Sequence, residues 1–249
     1  AYSPERINPG DQNHALSKVT KVVSGLDDKS LKFVSRLYGK IVPSIHEAES
    51  LEVAEASKLL ENIQRDVNIA LLNELQFCFD EMGIPMDSVL KSASTKWNFN
   101  NYHPGLVGGH CVPVDPYYLI DEAKKFSTNL PLIAQSRKTN EAAVANFYRK
   151  ILNKLTSPYT SSYVLINGLS FKPDVQDIRN SQVPPLKRML EQNGVKVDVY
   201  DPSVKAEVAK NSFGIDLLKK IPSFDNYHLI VSPYDLSIKK GGKYSSSLS

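Results

Sequence analysis

The sequence predicts an α/β fold in which a long central helix separates two pieces of parallel sheet. Three observations carry this. Residues 162–231 alternate strand-like and helical runs in the order β-α-β-α-β, the pattern of a parallel sheet whose strands are joined by helical crossovers. A short apolar run, Lys21 to Gly25, precedes an amphipathic one, Asp27 to Lys40, as the last unit of an α/β domain whose beginning lies upstream would. Between these pieces, Ser50 to Met82 keeps a helical period far beyond the roughly 8–20 residues of ordinary globular helices.

Each element has a local reason. Asp27 or Asp28 is a candidate cap for the helix that runs to Lys40. The long helix carries apolar side chains at Val53, Ala56, Leu60, Ile63, Val67, Ala70, Leu71 and Leu75, and Gly83 with Pro85 ends it. Its length suits a spine that joins two domains or packs on a second subunit. Helices follow at Met86 to Ser94, Pro116 to Phe126 and Leu132 to Leu155. In the late unit, strands are expected at Ser162 to Leu169, Val195 to Tyr200 and Tyr227 to Val231, with helices at Pro184 to Gln192 and Val204 to Lys210. The tail from Lys239 to Ser249 reads as solvent-exposed and frayed.

Composition narrows the function classes. With 30 basic and 27 acidic residues the net charge is +3 and no basic cluster is long, so nucleic acid is not implied. No run approaches the roughly 20 apolar residues of a membrane span, and no signal peptide is visible. The two cysteines, Cys78 and Cys111, sit in unlike contexts, which argues against a disulfide scaffold and for a reducing, cytoplasmic setting. The five histidines show no ligand-like spacing, so no metal site is expected.

One run is dense in chemistry. Gly105-Leu106-Val107-Gly108-Gly109-His110-Cys111-Val112-Pro113-Val114-Asp115-Pro116 reads as a glycine-lined pocket around a reactive cysteine. Glycines bring backbone amides close to a ligand, and prolines stiffen the frame that presents Cys111 as a nucleophile. Asp115 lies four residues on and shares a face with Cys111 if the segment is helical, or else caps the helix that follows. Lys58 and Asn62, also four apart, offer a cation and an amide to a developing oxyanion, or form a solvated surface pair. Glu5 is a candidate base or the partner of a nearby arginine. Phe171-Lys172 and Asp177-Ile178-Arg179-Asn180-Ser181 flank the loop after the first strand of the late unit, where parallel sheets bind ligands, and Lys and Arg there suit phosphate. Cys78, between Phe77 and Phe79, reads as a buried hydrophobe.

Taken together, Tyr2-Ser3-Pro4-Glu5-Arg6-Ile7-Asn8-Pro9-Gly10, the Lys58 to Glu74 stretch, Gly108-Gly109-His110-Cys111 with Asp115, and Gly168 to Ser181 resemble the UDP-glucose/GDP-mannose dehydrogenase family. The runs Glu5 to Asp11 and Pro104 to Cys111 resemble its UDP-N-acetylhexosamine 6-dehydrogenase branch, or the uronate-forming relatives of polysaccharide synthesis. The resemblance implies the end of an N-terminal Rossmann domain (residues 1–48), a central helical region that dimerises and bears the cysteine (49–156), and a C-terminal Rossmann-like UDP-binding domain (157–249). It implies NAD as cofactor, a UDP-sugar as substrate and a homodimer formed through the central helix. Cys111 then attacks the C6 aldehyde to give a thiohemiacetal, later a thioester. Lys58 and Asn62 stabilise the oxygen at C6, Asp115 orders the site, and Glu5 serves the water of hydrolysis. Phe99, Asn100, Tyr102, Gly105, Gly108, Gly109, Phe171 and Lys172 contact the substrate, and Arg179 lies near the nucleotide sites as a cofactor contact. The family's Gly-x-Gly-x-x-Gly fingerprint does not occur here. The chain alone is therefore expected to be inactive, and the competing reading is a non-catalytic module that binds UDP-sugars or oligomerises.

Overall fold

The computed structural model describes residues 1–6, 15–156 and 158–241. Ile7 to Gly10 of the opening motif, and the tail from Gly242 on, lie outside the described residues. The chain divides into two compact units, Ala1–Gln64 and Arg65–Ser249.

In the first unit, β1 (Thr20–Val23) pairs in parallel with β2 (Ser44–Glu47), and α1 (Asp28–Tyr38) connects them. Asp27 starts that helix. Its carboxylate accepts from the Ser30 N–H at 2.7 Å while Ser30 Oγ accepts from the Asp27 N–H at 3.1 Å, a reciprocal cap that satisfies donors the first turn leaves over. The Ser30 N–H bond to the charged form holds the Asp27 carboxyl below the usual carboxylate range. β2 departs from the sequence expectation, which placed no strand there. None of Ser44, Ile45, His46 and Glu47 is buried, so its side chains advertise no pattern and the backbone ladder to β1 alone defines it. Val22, Ala48 and Ala54 form the small core, with Tyr2 packed on it.

α2 (Leu51–Met82) is one continuous helix, and its burial differs from the expected apolar stripe. Ile63 and Ala70 are buried, but Val53, Leu60 and Leu71 are 48%, 66% and 55% exposed. Polar Asn62, Asp66, Asn73 and Gln76 are buried instead. Cys78 also departs from expectation and is exposed. The helical turn of about 100° per residue sends Phe77 and Phe79 to two separate apolar clusters and leaves Cys78 between them, facing out.

The second unit continues with α3 (Met86–Ala93), α4 (Asp115–Lys125) and α5 (Pro131–Lys154), and then the sheet. β3 (Tyr163–Asn167) is central, flanked in parallel by β4 (Lys196–Tyr200) and β5 (Leu229–Val231), with crossovers through α6 (Val183–Gln192) and α7 (Ala206–Phe213). The expected β-α-β-α-β order is present. An edge strand, β6 (Ile238–Lys240), adds antiparallel to β5 and corrects the reading of a frayed tail at Lys239 and Lys240. Lysines on an edge strand discourage further pairing, and the same lysines disguise the strand in sequence. Phe147 and Ile151 of α5, Val164 and Ile166 of β3, and Leu186 and Leu190 of α6 are fully buried in one core. Each such side chain contributes about 1.5–3 kcal/mol. No helix among the described residues is long and apolar enough to cross a membrane.

Candidate active site

The site grows from the loop that precedes α4. Gly105 is buried and its peptide is gripped from two sides. The Asn73 side chain of α2 accepts from the Gly105 N–H at 2.8 Å and donates to its C=O at 3.0 Å. On the other side, the Leu106 N–H donates to the Pro233 carbonyl at 2.9 Å, in the link between β5 and β6. There is no room for a side chain here: a Cβ at Gly105 would lie 2.5 Å from the Tyr234 carbonyl oxygen. Gly105→Ala should therefore overpack a buried backbone contact and cost about 1–3 kcal/mol, read from urea unfolding midpoints.

Farther along, the loop is held by the segment after β3. The Gly109 N–H donates to the Arg179 carbonyl at 3.0 Å, and Asn180 Nδ2 donates to the Gly109 carbonyl, also at 3.0 Å. Gly109 has φ +89°, which favours glycine there. Arg179 folds back onto Asp177, donating from Nε at 3.0 Å and from Nη2 at 2.6 Å, and His110 Nδ1 lies 3.4 Å from the same carboxylate. Arg179's donation holds the Asp177 carboxyl below the usual range and raises its own pKa, with the neighbouring Cys111 charge a lesser cause of the latter. Cys111 is half-buried in the turn before α4, and its carbonyl accepts from the Asp115 N–H at 2.8 Å. Asp115 is the first residue of α4, whose cap is Val114. The cap reading for Asp115 is thus set aside, and a helical turn links it to Cys111.

Beside this loop is a cavity of about 190 Å³, walled by Gly105, Leu106, Val107, Gly108, Ile69 and Val112, and by Phe171, Pro173 and Tyr234, with Arg65, His103 and Lys172 at its edge. Asp201 fixes the Phe171 side. Its Oδ2 accepts from the Leu169 N–H at 2.8 Å, the Ser170 N–H at 3.0 Å, Ser170 Oγ at 3.0 Å and the Tyr234 hydroxyl at 3.2 Å. Burial pushes the Tyr234 phenol pKa up, so it stays a donor. Two cations, an aromatic face and close backbone suit a phosphorylated ligand carrying a ring.

Residues 52–142 match the central domain of the UDP-glucose/GDP-mannose dehydrogenase family, and residues 165–236 match its UDP binding domain. The chain belongs to that family. A UDP-N-acetyl-D-glucosamine 6-dehydrogenase of Pseudomonas aeruginosa is 45% identical over 218 residues, which cover 86% of this chain and 52% of the relative. Another, from Salmonella typhi, is 38% identical over 245 residues, 97% of this chain and 58% of the relative. A solved UDP-N-acetyl-mannosamine dehydrogenase from Staphylococcus aureus matches with TM-score 0.73 at 29% identity, covering 93% of this chain and 53% of that one. The chain spans about half the length of the curated relatives it matches.

Of the residues the family resemblance singled out, the cavity brings together Gly105, Gly108, Phe171 and Lys172. Gly109, Cys111, Asp115 and Arg179 lie along the adjoining loop contacts. Phe99 and Tyr102 pack on the apolar cluster of Leu72, Met86 and Leu90, and Tyr102 also lines a separate cavity with Asp87, Lys91 and His103, while Asn100 is exposed. In the first unit, Lys58 is half-buried and Asn62 is 6% exposed, so the solvated-pair reading does not hold for Asn62. Glu5 is exposed, and its neighbour Arg6 pairs with Glu61 at 2.7 Å. Sequence reasoning missed Asn73, Tyr234 and Asp201. Asn73 follows the apolar run Ala70-Leu71-Leu72 and is itself followed by Glu74, so nothing local marks it.

Proposed function

We propose that this chain forms the cysteine-bearing and UDP-binding parts of an NAD-dependent 6-dehydrogenase that oxidises the C6 alcohol of a UDP-N-acetylhexosamine to the uronate. The observation that carries the proposal is the cavity with Lys172, Arg65 and the Gly105–Gly108 backbone, whose loop continues directly into Cys111. Lys172 and Arg65 answer a diphosphate, and Phe171 offers a flat apolar face to a ring. Loss of a hydride and the hydroxyl proton from the C6 alcohol gives the aldehyde, and the Cys111 thiolate adds to its carbonyl carbon, forming a C–S bond as the carbonyl π pair moves to oxygen. Loss of hydride from that carbon gives a thioester, and water then displaces sulfur, releasing the carboxylate and restoring the thiol. NAD supplies the hydride acceptor for the oxidations. Lys58 and Asn62, one turn apart on α2, are assigned to the oxygen at C6, Asp115 to ordering the site and Glu5 to the hydrolytic water. Phe99, Asn100 and Tyr102 belong to the same proposal as substrate contacts. The Arg179 guanidinium, 62% exposed and paired with Asp177, is assigned to NAD. A homodimer through α2 is part of the proposal, supported by the exposed Val53, Leu60 and Leu71.

The test joins the chain to the amino-terminal half of the Pseudomonas aeruginosa relative and follows NADH formation with UDP-N-acetyl-glucosamine, -mannosamine and -galactosamine. One sugar should turn over at two NADH each. Cys111→Ser should cut uronate formation by at least about a hundredfold. Full uronate formation in that variant would overturn the thioester route, and UDP binding with no turnover of any sugar would favour the non-catalytic module.

A further inference from the structure

Asn73 is buried in the middle of α2, and all of its side-chain hydrogen-bonding atoms are committed. Its oxygen accepts from the Gly105 N–H, and its amide nitrogen donates both to the Gly105 carbonyl and to Asn140 Oδ1 at 2.9 Å. Asn140, 2% exposed on α5, donates in turn to the Asp66 carbonyl at 3.0 Å and to Asp66 Oδ1 at 2.7 Å, and Asp66 Oδ1 also accepts from Arg137 Nη1. The amides cannot be reversed. An acceptor-only carboxylate at Asp66 obliges Asn140 to turn its NH2 towards it, which turns the Asn140 oxygen towards Asn73. Asn73 must then offer its NH2 to Asn140 and its oxygen to the Gly105 N–H. The polarity set at Asp66 therefore runs through two side-chain amides to the backbone N–H and C=O of one residue of the cavity wall, Gly105. Asp66 Oδ2 and Arg137 Nε are buried with no hydrogen-bond partner among the described residues, so this end of the relay carries a cost to folding.

We propose that Asn73 is a positioning residue for ligand binding: through its paired bonds to Gly105, oriented by Asn140 and Asp66, it sets the stance of the Gly105–Gly108 loop. This rests on the reading of the adjoining cavity as the nucleotide-sugar site. Asn73 has no place among the cavity-lining residues, so its effect passes through the loop. A carboxylate in its place, Asn73→Asp, still accepts from the Gly105 N–H but repels the Gly105 carbonyl and Asn140 Oδ1.

The experiment titrates UDP into the 249-residue chain by calorimetry and follows amide hydrogen exchange through the loop. Asn73→Asp should raise the UDP Kd by about tenfold or more and speed exchange of the Gly105 and Leu106 amides. Asn140→Ala, which leaves the Asn73 to Gly105 bonds in place, should act in the same direction but less, and it decides the matter if Asn73→Asp does not fold. Ile230→Ala, in the separate cluster of Leu165 and Tyr227, is the comparator. It should lower the melting temperature while leaving both the Kd and the loop exchange as they were. Loop exchange unchanged in the folded Asn73 or Asn140 variants would overturn the proposal, as would faster exchange at an unchanged Kd. If the parent chain binds no UDP, the cavity reading falls, and faster exchange in the variants would still support the role of Asn73 in setting the loop.

Discussion

Arg137→Met should cost about 3–5 kcal/mol of stability at neutral pH, and markedly less in acid. Arg137 is 4% exposed and Asp66 is fully buried, so removing the cation leaves a carboxylate in the interior with Asn140 as its main donor. Breaking one side of such a pair is far worse than removing both, because the surviving charge has no water to return to. The sign with pH follows from Asp66. Burial raises its carboxyl above the usual range, and the attraction of Arg137 only partly offsets that rise. A carboxyl whose folded pKa exceeds its unfolded value contributes stability that is complete below the unfolded pKa and is lost as pH climbs through the folded one. Without Arg137 the rise grows, so the loss at neutral pH deepens, while a protonated Asp66 needs no counter-charge. Urea denaturation from about pH 4 to pH 7, with the unfolded carboxyl near 3.9, should show the gap between wild type and Arg137→Met widening with pH. A gap that is constant or narrows would refute this account. The pair replacement Asp66→Leu with Arg137→Met should recover most of the loss.

Those two residues mark where sequence reading stops. The parallel unit of β3, β4 and β5 was legible because β3 and β5 are short apolar runs and β4 alternates, with turn residues and helical patterns between them. The long helix was legible from its period, but its buried face only in part: Ile63 and Ala70 are buried as expected. On α2 the apolar Val53, Leu60 and Leu71 are exposed and the polar Asn62, Asp66 and Asn73 are buried, the reverse of what amphipathicity assigns. Burial of a polar side chain depends on its partner, and these partners are far away in sequence: Asn140 lies 67 residues from Asn73 and 74 from Asp66. No window along the chain contains both. The Cys111 loop was legible for the opposite reason, since glycines, cysteine and prolines crowd one short run. The residues that place that loop, Asn73, Asn180 and Pro233, come from three distant segments; Asn180 lies in the Asp177–Ser181 run already singled out, but Asn73 and Pro233 leave no local signature.

Asp201→Ala should destabilise the chain by about 3 kcal/mol or more and weaken UDP binding as well. Asp201 is 5% exposed and stands at the end of β4, where Pro202 stops the strand. One carboxylate serves four donors through Oδ2, and Oδ1 accepts from the Ser203 N–H at 3.0 Å. Bonds to a charged acceptor are the strong ones, and truncation leaves the Leu169 and Ser170 amides in the interior unpaired. The damage is directional. Leu169 and Ser170 lead straight into Phe171 and Lys172, and Tyr234 packs against Gly168, where a Cβ would lie 2.6 Å from its ring. One wall of the cavity therefore hangs on this side chain. Asp201→Asn is the informative comparison, since its oxygen can keep one backbone donor while its NH2 faces other donors; its loss should be smaller than that of alanine in both stability and UDP affinity. If instead Asp201→Ala loses stability with its UDP Kd intact, the wall is held by the sheet itself, and Lys172 reaches its ligand without the carboxylate beneath it.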